Sequence, residues 1–401
     1  MIRDETVDRE QQHKVGKKKK PLFLSWLQLR KERTKLLVAI AGISFADVLM
    51  FLQMGFQGAL FSSAVEFHHS LNGEIVMTSS RSRALISLDR FTERRLYQAA
   101  GIAGVASVSP IYLNAIQWRN PYNKEIWSIY AIGINPEHQV LNIPGVEANR
   151  QKLREPDTAL FNQGSRQEFG PIAQRFEAGE SVITEINNRQ VQVRGLFNLS
   201  PTFGINAYLV TSDVNFLRMD ANRQGGLIDV GVIKLKPGVD VQTVLTQIRS
   251  RLPDDVKVMT RDDYEKAEVS FWKASTPVGY TFDLGVVIAF IVGAVIVYQI
   301  LYSDVTDHLP EYATLKAMGF RDRYLLIVVF QESLILAVLA FMPGVAIALG
   351  IYQITNIATK LPMAMDLGRV AFVFILTAIM SASSAAIAVR KLQTADPADI
   401  F

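Results

Sequence analysis

The sequence predicts an α-helical membrane protein of four spans, one before and three after a large α+β domain held outside the membrane. Three observations carry this. Apolar residues make up 49% of the 401 residues while charged ones make up only 20%, below the roughly 25% usual for soluble domains. Four stretches are apolar for about 19 residues or more, enough to cross a hydrocarbon core of about 30 Å. The remaining apolar residues lie in a middle segment that mixes period-2 and period-3.6 patterns.

The elements follow in order. Residues 1–35 form a leader expected inside, with Lys17, Lys18, Lys19, Lys20, Arg30, Lys31, Arg33 and Lys35 crowded near the first span. Such a block fixes the adjacent side as cytoplasmic. Within the leader, PLFLSWLQL reads as an amphipathic elbow helix lying in the membrane interface. The first span, residues 36–60, carries a single charge, Asp47. Leader and apolar run are both too long for a cleaved signal peptide, so a retained anchor is expected.

Residues 61–281 then make an outer excursion of about 220 residues, room for one or two domains. Strand patterns occur at 73–78, 105–118, 126–134, 181–186, 190–199, 206–210 and 227–235, separated by Gly, Pro and Asn. The clearest unit is a strand ending in VIKLK, a turn at Pro237-Gly238, a helix over 241–252 and the strand DVKVMT, a β-α-β module. The second span, 282–302, is followed by a short inner loop, 303–323. The third span, 324–352, contains Glu332 and a Pro343-Gly344 pair, which implies a kink. An outer loop, 353–369, leads to the fourth span, 370–389, and an inner tail, 390–401, opening with Arg390-Lys391. Both termini are therefore expected inside, with the large domain outside.

The chemistry excluded is broad. Without cysteine there is no disulfide, thiolate metal site or thiol nucleophile. No phosphate loop, H-E-x-x-H or G-x-S-x-G occurs, so no catalytic residue, cofactor site or metal site is expected, and any ATP and Mg must be held by another chain. The net charge of +4 sits mostly at the membrane-flanking leader, which points to membrane lipid and not nucleic acid. The pair His68-His69 points two ways on a helix and makes a poor metal site.

Two features remain. The inner loop places Pro310 in the first turn of a short helix, with Glu311 at its positive end, Tyr312, Leu315 and Met318 along one stripe and Gly319 as C-cap. Such a helix can rest on lipid headgroups or dock a cytoplasmic partner. Asp47 and Glu332 are intramembrane carboxylates, about 16 Å and 12 Å from the inner face at about 1.5 Å per residue. No titratable path joins them to both surfaces, so polar packing against Gln53, Gln299, Gln331 or backbone is expected instead of a proton relay.

In this loop the chain resembles the FtsX-like permeases of the MacB type, whose pattern E-[IY]-x-x-L-[KR]-x-[LM]-G is met by Glu311, Tyr312, Leu315, Lys316, Met318 and Gly319. The one-plus-three order of spans, the porter-like module ending in DVKVMT, Glu332 and the Gly344 to Gly350 stretch fit as well. The runs VIVYQILYSDVTDHLPEYATLKAMGF, STPVGYTFDLG and ADPADIF are similar to the DevC-like branch known from cyanobacteria. The resemblance implies a homodimeric, non-enzymatic permease subunit that couples to a separate ABC ATPase (DevA-like) through the inner helix. It further implies a periplasmic membrane-fusion protein (DevB-like) and a TolC-like outer-membrane duct. Its cargo would be an envelope substrate such as a glycolipid, moved by mechanical transmission. A lipoprotein-release permease, or a regulator of a cell-wall hydrolase, are the rival readings.

Overall fold

The computed structural model describes residues 33–202, 204–318 and 322–394. They fall into two compact units, one of residues 33–55, 282–352 and 365–394, the other of 56–281 with 353–364. The expected leader with its elbow helix lies outside the described residues.

In the first unit, α1 (Arg33–Ser70) opens the chain. It does not stop at residue 60. It has 38 residues, nearly twice what a bilayer core needs, and its last fifteen belong to the second unit. It ends where Ser70 Oγ turns back to the Phe67 carbonyl at 2.7 Å, just before Asn72-Gly73.

The second unit is one sheet with helices on it. Along the chain it contains β1 (Ile75–Ser79), β2 (Phe91–Thr92), α2 (Glu93–Ala100), β3 (Val105–Arg119), β4 (Ile126–Ile134), α3 (Pro144–Asn149), β5 (Thr158–Asn162), α4 (Ile172–Glu177), β6 (Ile183–Ile186) and β7 (Arg189–Phe197). There follow β8 (Tyr208–Ser212), α5 (Asp213–Met219), β9 (Leu227–Ile228), β10 (Val230–Leu235), α6 (Val241–Arg251), β11 (Val256–Thr260) and α7 (Arg261–Ala274). The sheet runs β11-β1-β10-β3-β4-β8-β5-β7-β6, and β6 pairs a second time with β3 through Trp118↔Ile186 and Arg119↔Glu185. Six strands, β3 to β8, therefore close into a ring, which removes their free edges. The 15-residue β3 belongs to both parts: its first half pairs with β10, its second half with β4.

Nearly every strand pattern in the sequence corresponds to a strand. The β-α-β module is split: β1 lies between β10 and β11, antiparallel to both. Asp240 caps α6 by accepting from Thr243 N at 2.8 Å, and Gly238, at φ +79°, makes the preceding turn. The sequence gives no alternation for β5, and the burial explains why: all five of its residues are buried, so both faces are covered and no polar side is needed. Alternation elsewhere divides the core in two. Ile129 and Ala131 of β4 join Trp118, Phe161, Ile186, Val191 and Leu209 in one cluster. Ile132 and Ile134 join Phe67, Leu160, Phe197 and Val210 in the other.

One buried ion pair interrupts this core. The Arg223 guanidinium, with no side-chain exposure, bonds the Asp229 carboxylate, which also accepts from Leu113 N at 2.7 Å. Burial pushes the Asp229 carboxyl above its ordinary range, and Arg223 pulls it part of the way back.

The first unit resumes with α8 (Pro277–Asp307), α9 (Leu309–Ala317), α10 (Asp322–Thr359) and α11 (Leu367–Thr394). With α1, the segments Pro277–Asp307, Leu326–Thr359 and Leu367–Val389 are long and apolar enough to cross a membrane. Pro343 lies inside α10 without ending it. The expected 353–369 loop is shorter than the sequence suggests, because α10 continues to Thr359 and α11 begins at Leu367.

Truncating a buried ion pair on one side strands the other charge, at a cost of about 3–5 kcal/mol. Arg223→Leu should destabilise the protein by that order in denaturant unfolding. An acid whose folded-state affinity for protons is raised favours the fold at low pH and loses that contribution as pH rises through its folded value. Removing Arg223 strengthens the effect, so the deficit should shrink as pH is lowered from 8 towards 5. A deficit that is constant with pH would mean Asp229 is not the group left stranded.

Candidate functional site

Four helices packed in lipid gain little from the hydrophobic effect on one another, so they rely on close approach at small residues and on interhelical hydrogen bonds. Both occur here. A Cβ on Gly293 of α8 would lie 2.3 Å from Met380 Sδ of α11 and 2.8 Å from Ala46 Cβ of α1. A Cβ on Gly344 of α10 would lie 3.1 Å from Asp47 Cβ. No larger side chain fits at Gly293 without parting three helices.

Around these contacts runs a seam of polar bonds. Ser44 Oγ donates to Ala340 O at 2.7 Å, joining α1 to α10 one turn before Pro343. Tyr352 OH donates to Phe51 O, joining the same two helices a few turns on. Ser384 Oγ donates to Ala294 O at 2.7 Å, joining α11 to α8. At the centre is Asp47, wholly buried, whose Oδ1 accepts from Thr377 Oγ1 of α11 at 2.5 Å. The partner is thus a threonine of the last span and not Gln53, Gln299 or Gln331, the residues favoured by the sequence. Glu332 is buried in α10. The missed signal was spacing: Thr377, Ser381 and Ser384 are all buried and recur at i, i+4 and i+7, one helix face.

The inner-loop helix is built as the sequence implies. His308 N reaches back to Asp304 O at 3.1 Å and Tyr312 N to His308 O at 3.0 Å, so α8 and α9 are separated by only one residue's turn. Pro310, without an N–H, sits in the first turn of α9, where none is required. Glu311 is exposed, and Met318, on the turn after Ala317, is 63% exposed. Tyr312 differs from expectation as a docking anchor, being 1% exposed and packed against the His308 ring at 6.4 Å. At 100° per residue it lies about 100° round the helix from Glu311, whereas Met318 returns to within about 20° of it. The outward face is therefore that of Glu311 and Met318, and Tyr312 is turned into the protein. The side chains of Leu315 and Lys316, and Gly319 altogether, lie outside the described residues.

Among the described residues there is no group of three or more His, Asp or Glu able to hold a metal.

Residues 284–397 match the FtsX-like permease C-terminal family, a stretch that contains α9, Glu332, Thr377 and Ser384. Curated proteins give no match to the chain. Among solved structures the chain is similar to the periplasmic region of MacB from Actinobacillus actinomycetemcomitans, at 11% identity over 49% of this chain and 92% of that one, TM-score 0.36. It is also similar to the extracellular domain of the noncanonic ABC-type transporter YknZ from Gram-positive bacteria, at 14% identity over 47% and 100%, TM-score 0.34. A domain of a putative permease protein from Porphyromonas gingivalis shares 13% identity over 48% and 90%, TM-score 0.31.

An interhelical hydrogen bond in a membrane contributes about 0.6 kcal/mol on average and up to about 1–2. Thr377→Val removes the Asp47 partner and should lower the thermal melting temperature of the purified protein in detergent. Asp47→Asn keeps an acceptor for the Thr377 hydroxyl and should melt close to wild type. Equal melting of Thr377→Val and wild type would show that the bond carries no part of the assembly.

Proposed function

We propose that the chain is the permease subunit of an ABC exporter of the MacB type, in its DevC-like branch. The observation that carries this reading is the FtsX-like permease C-terminal match over residues 284–397, which spans the one short helix between two membrane segments. On this reading the chain is not an enzyme and binds no nucleotide. ATP and Mg act on a separate DevA-like ATPase. A DevB-like periplasmic adaptor, a TolC-like duct and a second copy of this chain complete the machine, and the cargo is an envelope substrate such as a glycolipid.

The packing of the helices supports mechanical transmission over conduction. Asp47, Thr377 and Ser384 are buried and bond across helix contacts, so these polar groups hold helices together and do not face a solvated path. The ATPase would bear on the Glu311 and Met318 face of α9. Tyr312, packed inward, would carry the displacement into the bundle. The orientation follows from the leader: N-terminus and α9 inside the inner membrane, one span before and three after a periplasmic α/β domain.

Two measurements test this. The absence of native cysteine makes single-cysteine labelling clean. Gly225 is exposed and a Cβ there meets nothing within 4 Å. Gly225→Cys should react with a membrane-impermeant maleimide in intact spheroplasts, and Met318→Cys only after permeabilisation. The reverse pattern would invert the topology.

For the partner, an unpaired charge buried in an apolar contact costs several kcal/mol. Met318→Asp should therefore reduce co-elution of the ATPase at least tenfold while membrane insertion stays normal. Undiminished co-elution would show that the ATPase uses another surface, and co-elution of a cell-wall hydrolase in its place would favour the regulator reading.

A further inference from the structure

The α/β unit contains a polar cleft that the coupling of α9 to a partner does not use. Its volume is about 290 Å³, at the small end of ligand sites. Phe161 and Ala173 line its apolar part, and Gln163, Arg166, Gln167, Gln174 and Lys360 its polar part. Two of the lining residues are cationic and none is acidic.

Two nearby acids are already engaged. Glu177 accepts from Gln163 Nε2 at 2.8 Å, and Glu180 is held by Arg175 at 2.9 Å. Arg119, Arg154, Arg189 and Arg194 in the same unit each face a carboxylate. Among the described residues Arg166 has no ion-pair partner. Lys360 Nζ donates once, to Gln163 O at 2.9 Å, and an ammonium has two further protons to offer.

The walls are held in place before any ligand arrives. Asn162, with no exposure, accepts from Gly164 N at 3.0 Å and Leu199 N at 2.9 Å and donates to Leu199 O at 2.7 Å, fixing the start of the lining loop. Gly170 ends that loop at φ +98°, where a Cβ would lie 2.9 Å from Asn120 Oδ1. Lys360 itself is left-handed, φ +56°. A long side chain adopts that region at a cost, and such residues concentrate at ligand clamps. Here it lets the chain turn immediately after α10, with the ammonium over Gln163. A fixed loop backbone carrying amides and two cations favours a ligand that is small, hydrogen-bonding and negative.

We propose that this cleft binds a small anionic ligand of about monosaccharide size, its carboxylate or phosphate held by Arg166 and Lys360 and its remaining polar groups by Gln163, Gln167 and Gln174. The site stands independently of the permease reading. The test is calorimetric titration of the full-length protein in detergent at low ionic strength with inorganic phosphate, glucuronate and uncharged glucose. At least one anion should bind with one-to-one stoichiometry and more tightly than glucose, and binding should weaken with added salt. Arg166→Gln and Lys360→Gln should each weaken it about tenfold, as loss of a charge-assisted hydrogen bond does. Arg154→Gln, which breaks only the surface pair with Glu137, should leave it unchanged. A glucuronate-selective profile assigns the site to acidic sugars and a phosphate-selective one to phosphate groups. Absence of binding by both anions up to about 10 mM overturns the proposal, since that is weaker than any specific site of this size would show. Glucose binding as well as glucuronate, or anion binding that survives both substitutions in variants that melt like wild type, overturns it equally.

Discussion

In a bilayer core every polar group must find its partner inside the protein, and helices meet without a hydrophobic reward for doing so. That constraint organises the first unit, and α1 is where it is met. From one helix, Ser44 reaches α10, Asp47 reaches Thr377 of α11, Phe51 accepts from Tyr352 of α10, and Ala46 fills the space left by Gly293 of α8. Each bond alone contributes about 1 kcal/mol or less. Their value is cumulative and positional: four contacts along about two turns of α1 leave one rotation of that helix compatible with all of them. Asp47 could not be turned outward without exposing a carboxylate to lipid, which costs more than the seam gains.

The number and order of the apolar helices, most strands and the inner-loop helix were legible in the sequence because each depends on local periodicity, whereas the ends of α1 and α10 were not. What was not legible depends on pairing between distant segments. The closure of β6 on β3 rests on two residue pairs 66 to 68 positions apart in sequence, and no local pattern encodes it. The sequence points to polar packing for Asp47 and offers Gln53, Gln299, Gln331 or backbone as partners, whereas the residue that bonds its Oδ1 is Thr377. A threonine on a facing helix satisfies a carboxylate with one hydroxyl and far less bulk, and its single proton goes to Asp47 at 2.5 Å in place of its own helix carbonyl, Val373 O, at 2.9 Å. Tyr312 shows the same limit from the other side. Helical spacing put it on one stripe with Leu315 and Met318, yet Tyr312 is buried and Met318 exposed, since spacing alone does not say what covers a stripe.

The α/β unit solves a different problem, that of a long sheet with two covered faces and few exposed edges. The double use of β3 is what allows it. With β10 on one side along its first half and β4 along its second, β3 carries the sheet from an open half into a closed ring, and Trp118, fully buried, sits at the point of closure with its Nε1 on Phe169 O at 3.3 Å. Loss of so large a buried side chain costs about 3–5 kcal/mol, similar to stranding Asp229. The apolar anchor and the buried ion pair therefore differ in what they specify more than in how much they stabilise. Trp118 fills space, whereas Arg223 fixes direction, because it must meet both the Asp229 carboxylate and the Leu227 carbonyl at 3.1 Å.

The two units contrast in how firmly their short elements are held, and α9 is the informative case. A helix of nine residues lies below the length at which helices persist alone in water, since nucleation is unfavourable and few bonds follow it. Its N-terminus is continuous with α8 through His308, and its one described inward side chain is Tyr312. Packing of Tyr312 therefore helps to hold the helix, and Glu311 and Met318 lie on the face turned away from it. On its N-terminal side α9 follows α8 with only His308 between them, and burial of an aromatic side chain contributes about 1.5–3 kcal/mol to holding it there.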